Sequence, residues 1–206
     1  RFDQLHPIVS GNKFYKLKYN VATALDKGKR GILTMGGAYS NHLAATAFYC
    51  KENKLTSTGI IRGEIKVPQN PTLQFCTDCG MELIPVGRNE FDESHPTIQK
   101  IITERTTEHF VPMGGANAEG IKGAAEMMQA IDNFEQYQTI VCAVGSGTMF
   151  KGLKASLLTH QFLLGIPAIQ IRKEDQETFN SLLFDPANHP NIQLNYDYSF
   201  GGYAKK

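Results

Sequence analysis

Three short stretches hold residues whose types and spacing could do chemistry. The first is Ser10-Gly11-Asn12-Lys13-Phe14-Tyr15-Lys16-Leu17. Gly11 and Asn12 tolerate a left-handed backbone, which projects the next side chain away from the chain path. Lys13 then stands at the entrance of a helix expected over 15–27. Positive charge is disfavoured there, so the helix dipole favours the neutral amine that a Schiff base needs. Lys16, one turn on, is a second cation that depresses the Lys13 pKa further and is also suited to a phosphate. The alternative is two solvated surface lysines, the usual fate of this residue.

The second stretch is Gly36-Gly37-Ala38-Tyr39-Ser40-Asn41-His42, after a strand and at the start of a helix. Ser40 is a natural N-cap, and the neighbouring amides point at whatever anion docks there; a carboxylate fits. Asn41 offers an amide donor for a phenolic oxygen. His42 is suited to proton transfer or to orienting a ligand. A plain cap with one histidine in its turn is the competing account. The third stretch is Val144-Gly145-Ser146-Gly147-Thr148. Its glycines let the backbone wrap an anion, while Ser146, Thr148 and the helix amides supply donors. It is no Walker A loop, because no Gly-Lys-Ser/Thr follows. Phe150 occupies the third glycine position of a dinucleotide fingerprint. A glycine turn without a ligand stays open. So does the role of Pro112-Met113-Gly114-Gly115-Ala116-Asn117, either a hinge between lobes or a connecting loop.

Positioning these groups falls to an alternation of short β-branched runs and longer helical stretches. Strands are expected at 31–35, 58–61, 81–86, 109–112 and 139–144, buried on both faces. Helices are expected near 15–27, 40–53, 70–79, 94–104, 119–132 and 148–159. Gly28 and Gly80 fall at helix C-caps, and Pro71 falls in a first helical turn. The last fifty residues hold a strand at 166–171, a helix around 176–184 and an extended run at 192–196. Strands separated by helices predict an α/β protein with open parallel sheets and right-handed crossovers. Ligands of such sheets sit at the carboxyl ends of strands, where the second and third stretches lie.

Composition narrows the partners. The chain has 206 residues, 41% hydrophobic and 20% charged, with Lys+Arg 21 against Asp+Glu 20. That balance, without a basic stripe or acidic tail, argues against nucleic acid and anionic membranes. The apolar runs, such as 162–166, are too short to span a bilayer. Of four cysteines, Cys50 and Cys142 read as small core residues. Cys76 and Cys79 form a Cys-x-x-Cys pair without the second pair a structural zinc needs, so no metal is expected. A reducing cytoplasm fits this cysteine usage. Residue 1 is Arg, so the natural N-terminus is expected upstream.

Taken in order, Gly-Asn-Lys-x-x-Lys-Leu, the turn with Ser-Asn-His, Asn70-Pro71-Thr72-Leu73, the Gly114-Gly115-Ala116 turn and Gly-Ser-Gly-Thr resemble the family of 1-aminocyclopropane-1-carboxylate (ACC) deaminase and D-cysteine desulfhydrase. These are pyridoxal 5′-phosphate (PLP) enzymes of the tryptophan-synthase-β fold, fold type II. The resemblance implies that Lys13 carries the cofactor. It places Ser40 at the substrate carboxylate and Asn41 against the cofactor's ring hydroxyl. Gly145, Ser146, Gly147 and Thr148 fall on the 5′-phosphate site, with Lys16 matching the family's second lysine. It also implies a small mobile domain over 17–112, a large PLP-binding domain built from 1–16 plus 113–206, and a homodimer. Family members run on to a Tyr-x-Gly-Lys segment that this sequence lacks, so part of the C-terminal region is expected to be missing. The implied reaction takes a small amino acid to a 2-oxo acid and ammonia, with Lys13, Ser40 and His42 in catalysis. Ser-Asn-His points towards the desulfhydrase branch. The alternatives are a hydroxy-amino-acid dehydratase, a β-replacement synthase, or a non-catalytic domain that binds a phosphate ligand.

Overall fold

The structure is a computed structural model that describes residues 8–9 and 11–198. The chain divides into two compact units, residues 1–119 and 120–206.

The first unit is a four-stranded parallel sheet ordered β3-β2-β1-β4. Its strands are β1 (Gly31–Gly36), β2 (Thr56–Arg62), β3 (Glu82–Val86) and β4 (Glu108–Val111). Between them run α1 (Asn12–Asp26), α2 (Asn41–Glu52), α3 (Pro71–Asp78) and α4 (Pro96–Glu104). β1 is buried along its whole length, which explains its unbroken Ile-Leu-Thr-Met run. Alternate residues face opposite ways. Ile32 packs with Val21, Ala24, Cys50 and Val111, whereas Leu33 and Met35 join Ile60, Val86 and Ile98. Thus α1 and α2 cover one face and α4 the other.

Local chemistry sets the helix ends. Lys29 N–H donates to Ala24 O and Gly28 N–H to Leu25 O, both at 2.9 Å, with Gly28 at φ 66°. Met81 and Gly80 repeat the pattern behind α3, bonding Cys76 O and Thr77 O. Both are Schellman closures, and they bear out the glycine C-caps. Asn70 Oδ1 accepts from Thr72 and Leu73 amides at 2.9 and 3.1 Å, and Pro71 opens α3 as expected.

The second unit is a three-stranded parallel sheet, β5 (Thr139–Val144), β6 (Phe162–Pro167) and β7 (Ile192–Leu194), in that order. Its helices are α6 (Thr148–Ala155) and α7 (Gln176–Leu183), preceded by α5 (Ala118–Gln129). Two expectations need correction. β6 begins at Phe162 rather than 166, because Phe162–Pro167 pairs residue for residue with Thr139–Val144. β5 is an edge strand, not one buried on both faces: Thr139, Val141 and Ala143 are exposed, Val141 at 56%. Cys142 on that strand is accordingly only half-buried, while Cys50 is buried as expected.

At Gly152, α6 packs closely against α5. A Cβ there would lie 2.4 Å from Ala124 Cβ and 2.7 Å from Ala125 N. Backbone cannot step aside as a flexible side chain can, so overpacking is costly. Gly152→Val is expected to lower stability by about 3 kcal/mol or more, read as the midpoint of thermal or denaturant unfolding.

Candidate active site

In the first sheet, β2 and β3 lie on one side of β1 and β4 on the other. The connections therefore reverse between β1 and β4, and the crevice outside their carboxyl ends is the place where open α/β sheets bind ligands. The turn Gly36–Ser40 leaves β1 there. The turn Pro112–Asn117 leaves β4 there, carrying a 3₁₀ turn at Met113–Gly115.

α1 supplies the lysines. Its apolar stripe Phe14, Leu17, Val21 and Ala24 repeats at helical spacing, and Leu17, Val21 and Ala24 are buried. The helix starts at Asn12, with Gly11 as N-cap at φ 62°. Lys13 is thus inside the first turn rather than just before the helix. Asn12 is helical, so the left-handed step falls on Gly11 alone. Lys13 is partly buried and makes no hydrogen bond or ion pair with any described residue. Burial lowers its pKa. Desolvation is thus the resolved cause, in place of the dipole and Lys16 charge expected from sequence.

Lys16 is 2% exposed, and its Nζ donates to Gly114 O at 3.2 Å. Next along the helix, Asn20 and Asn117 exchange side-chain hydrogen bonds at 2.7 and 3.3 Å. These contacts clamp α1 to the turn after β4. Gly114 and Gly115 both take left-handed φ, 70° and 72°, which lets backbone lie close over the site. A Cβ on Gly115 would sit 3.4 Å from Lys16 Cβ and 3.9 Å from His42 Cε1.

Ser40 caps α2 as expected, accepting from the Leu43 amide at 3.3 Å. It closes tightly on the strand end, since a Cβ on Gly36 would meet Ser40 Oγ at 2.8 Å. Asn41, the first residue of α2, is exposed. His42 is 3% exposed. Its Nε2 lies 3.0 Å from Thr34 Oγ1, and Thr34 Oγ1 donates to Val111 O at 2.7 Å. His42 Nδ1 is buried without a partner. Burial first, then the charges of Lys13 and Lys16, push its pKa down to about 3. His42 is therefore neutral at physiological pH.

Sequence reading passed over Thr34, although a hydroxyl inside the apolar run Ile32-Leu33-Thr34-Met35 was a visible signal. It also passed over a cleft of about 250 Å³ at the same carboxyl edge, lined by Met35, Phe91, Asp92, Glu93 and Met113. There the Met113 amide donates to Glu93 Oε1 at 3.3 Å. A larger cleft of about 610 Å³ at the ends of β2 and β3 has none of the expected site residues in its lining.

In the second unit, Gly145–Thr148 joins β5 to α6. Gly147 caps α6 with φ 77°, and Ser146 Oγ lies 3.1 Å from Thr148 Oγ1. Thr148 is buried. The loop has the glycine backbone and paired hydroxyls of an anion cup. Among the described residues, no group of three or more His, Cys, Asp or Glu is placed to hold a metal ion. None of the helices there is long and apolar enough to cross a membrane.

Parallel sheets with helices between their strands place the chain in a class of α/β proteins that solved structures share. One, described as an ACC deaminase homologue, superposes with a TM-score of 0.77 at 25% identity, over 100% of this chain and 67% of that one. A pyridoxal 5′-phosphate-dependent aspartate racemase shares the fold, with a TM-score of 0.62 at 15% identity over 83% and 50%. By sequence the chain is related to the ACC deaminase and D-cysteine desulfhydrase proteins. It is 30% identical over 187 residues to a Thermotoga maritima protein named "Putative 1-aminocyclopropane-1-carboxylate deaminase", covering 87% of this chain and 59% of that one. It is 27% identical over 163 residues to an Arabidopsis thaliana bifunctional D-cysteine desulfhydrase/1-aminocyclopropane-1-carboxylate deaminase, covering 70% and 41%. With the Klebsiella pneumoniae D-cysteine desulfhydrase it shares 24% over 160 residues, 72% and 49% of the two chains. No family model matches the chain. The chain spans 59–64% of the length of the first three curated relatives it matches.

Proposed function

We propose that this chain carries PLP on Lys13 and serves a deaminase or lyase reaction on a small amino acid, releasing a 2-oxo acid and ammonia. One observation carries the reading: a desolvated lysine amine whose charge acts on the buried His42 and which has no hydrogen-bond or ion-pair partner among the described residues. A covalent bond to an aldehyde requires such an amine in its neutral form, and burial favours that form. Taken singly, the residue types present fit parts of the group. Gly145–Thr148 is suited to its phosphate and Asn41 to its ring hydroxyl.

Bound PLP supplies an electron sink for charge developing at the substrate α-carbon. The chain's own residues do the rest. Ser40 and the first amides of α2 hold the substrate carboxylate. Lys13, with its Nζ free, would take and return protons there. His42, neutral and buried, orients rather than carries charge. Relatives bearing both activity names favour D-cysteine or ACC as substrate. The reading includes the small mobile domain over 17–112, the large domain over 1–16 plus 113–206, and a homodimer. A reducing compartment, the cytoplasm, suits the four free cysteines.

The test uses the full-length protein: visible absorbance of lysine-bound PLP, borohydride reduction, then peptide mapping. Label on Lys13 is the expected outcome; label on any other lysine overturns the assignment. Assays of sulfide, ammonia and oxo acid from D-cysteine, ACC and serine separate the substrate branches.

A further inference from the structure

The hydrogen bonds around His42 allow its protons to be counted. Val111 O bears no hydrogen, so the 2.7 Å contact from Thr34 Oγ1 uses the only proton of that hydroxyl. At its other contact, 3.0 Å from His42 Nε2, Thr34 Oγ1 must accept. Nε2 is therefore the protonated ring nitrogen. Because the buried ring is neutral, it holds one proton, and Nδ1 is left with a bare lone pair. That lone pair is buried and has no partner. The opposite tautomer would set two lone pairs against each other at the Thr34 contact and leave a buried N–H without an acceptor. Thr34 thus selects the tautomer.

Buried acceptors in native proteins are nearly always satisfied, so this unpaired one calls for a donor. The charged groups that act on His42 are Lys13 and Lys16 of α1. Lys16 Nζ already donates to Gly114 O. Lys13 makes no hydrogen bond or ion pair with any described residue. Gly115 packs beside His42 Cε1 and Lys16 Cβ from above and brings no charge.

We infer that Thr34 is a positioning residue that holds His42 as its Nε2–H tautomer, so that Nδ1 accepts a hydrogen bond from the ammonium form of Lys13. The arrangement steadies the lysine when it bears a proton without taking that proton, since His42 stays neutral. A histidine able to charge would compete for the proton; one held in the other tautomer would present N–H to an ammonium. The inference deepens the proposed role of Lys13 and rests on that reading for its consequence in turnover. The tautomer itself is independent of any cofactor.

The decisive measurement is the long-range ¹H–¹⁵N NMR spectrum of His42 in the full-length protein near pH 7, recorded alongside the pH profile of Lys13 acetylation by mass spectrometry. A protonated Nε2 and a bare Nδ1 are expected, and Thr34→Ser should retain both. In Thr34→Val the tautomers should mix, and the Lys13 profile should move to lower pH because its ammonium loses an acceptor. A protonated Nδ1 in the unsubstituted protein overturns the inference, even if Thr34→Val fails to fold. So does a folded Thr34→Val protein with unchanged tautomer and Lys13 profile. Finding PLP on another lysine, with the tautomer as expected, would instead remove the functional reading and leave the hydrogen-bond chain standing.

Discussion

Lys13→Ala should abolish the absorbance of lysine-bound PLP and cut turnover by at least about a thousandfold, the scale set by losing a positioned base and its covalent role together. The expectation follows from the different fates of two lysines three residues apart. Such residues share a helix face, so spacing alone leaves either one eligible. Lys16 is spent on Gly114 O and buried among the residues that clamp α1 to the turn after β4. Lys13 has no hydrogen-bond or ion-pair partner among the described residues, and burial lowers its pKa, which puts a larger fraction in the reactive form. Lys13→Arg is the informative companion: it keeps the charge but offers a guanidinium that does not deprotonate, so it should be as inactive as alanine. Absorbance that survives in Lys13→Ala and vanishes in Lys16→Ala would move the attachment to Lys16.

Acid should destabilise this protein through His42. Its pKa falls from the ordinary 6.5 to about 3 in the folded chain. Between those values the unfolded chain binds the proton and the folded one refuses it, so stability rises with pH across that window and is lost as pH falls. Above 6.5 the contribution is constant. At about 1.4 kcal/mol per pH unit, going from pH 6.5 to pH 4 should cost on the order of 3 kcal/mol from this one ring. His109, lowered first by burial, acts in the same direction. Glu108 acts oppositely, because burial raises its pKa: its contribution is present in acid and lost as pH rises past its ordinary range. The contrast with His42→Gln, which cannot titrate, isolates the histidine. Denaturant midpoints for the two proteins at pH 7 and pH 4 should show a shallower acid loss for His42→Gln. Parallel losses would mean that His42 is protonated without penalty and is not the neutral ring described here.

Much of this was legible in one dimension. The β-branched runs announced strands because a parallel strand is covered on both faces, and β1 met that condition fully. β5 met it on one side only, with Thr139, Val141 and Ala143 exposed and Val144 buried, because which face of a sheet is covered is decided by packing and leaves no mark on Thr139–Val144. Gly28, Gly80 and Asn70 were readable because a left-handed step or a side-chain cap is a local matter of a few dihedrals. For the same reason Ser40 could be placed at the head of α2 from residue types alone.

What residue order determined, then, is the inventory: which segments become strands and helices, and which loops carry an amine, a capped anion site and a glycine cup. Tertiary structure decided how those groups are protonated and paired. Thr34 and Val111 lie 77 residues apart and Lys16 and Gly114 lie 98 apart, so no window of sequence contains either contact. The state of Lys13 and His42 depends on desolvation, and water is excluded only once β1, β4 and α1 have packed around them.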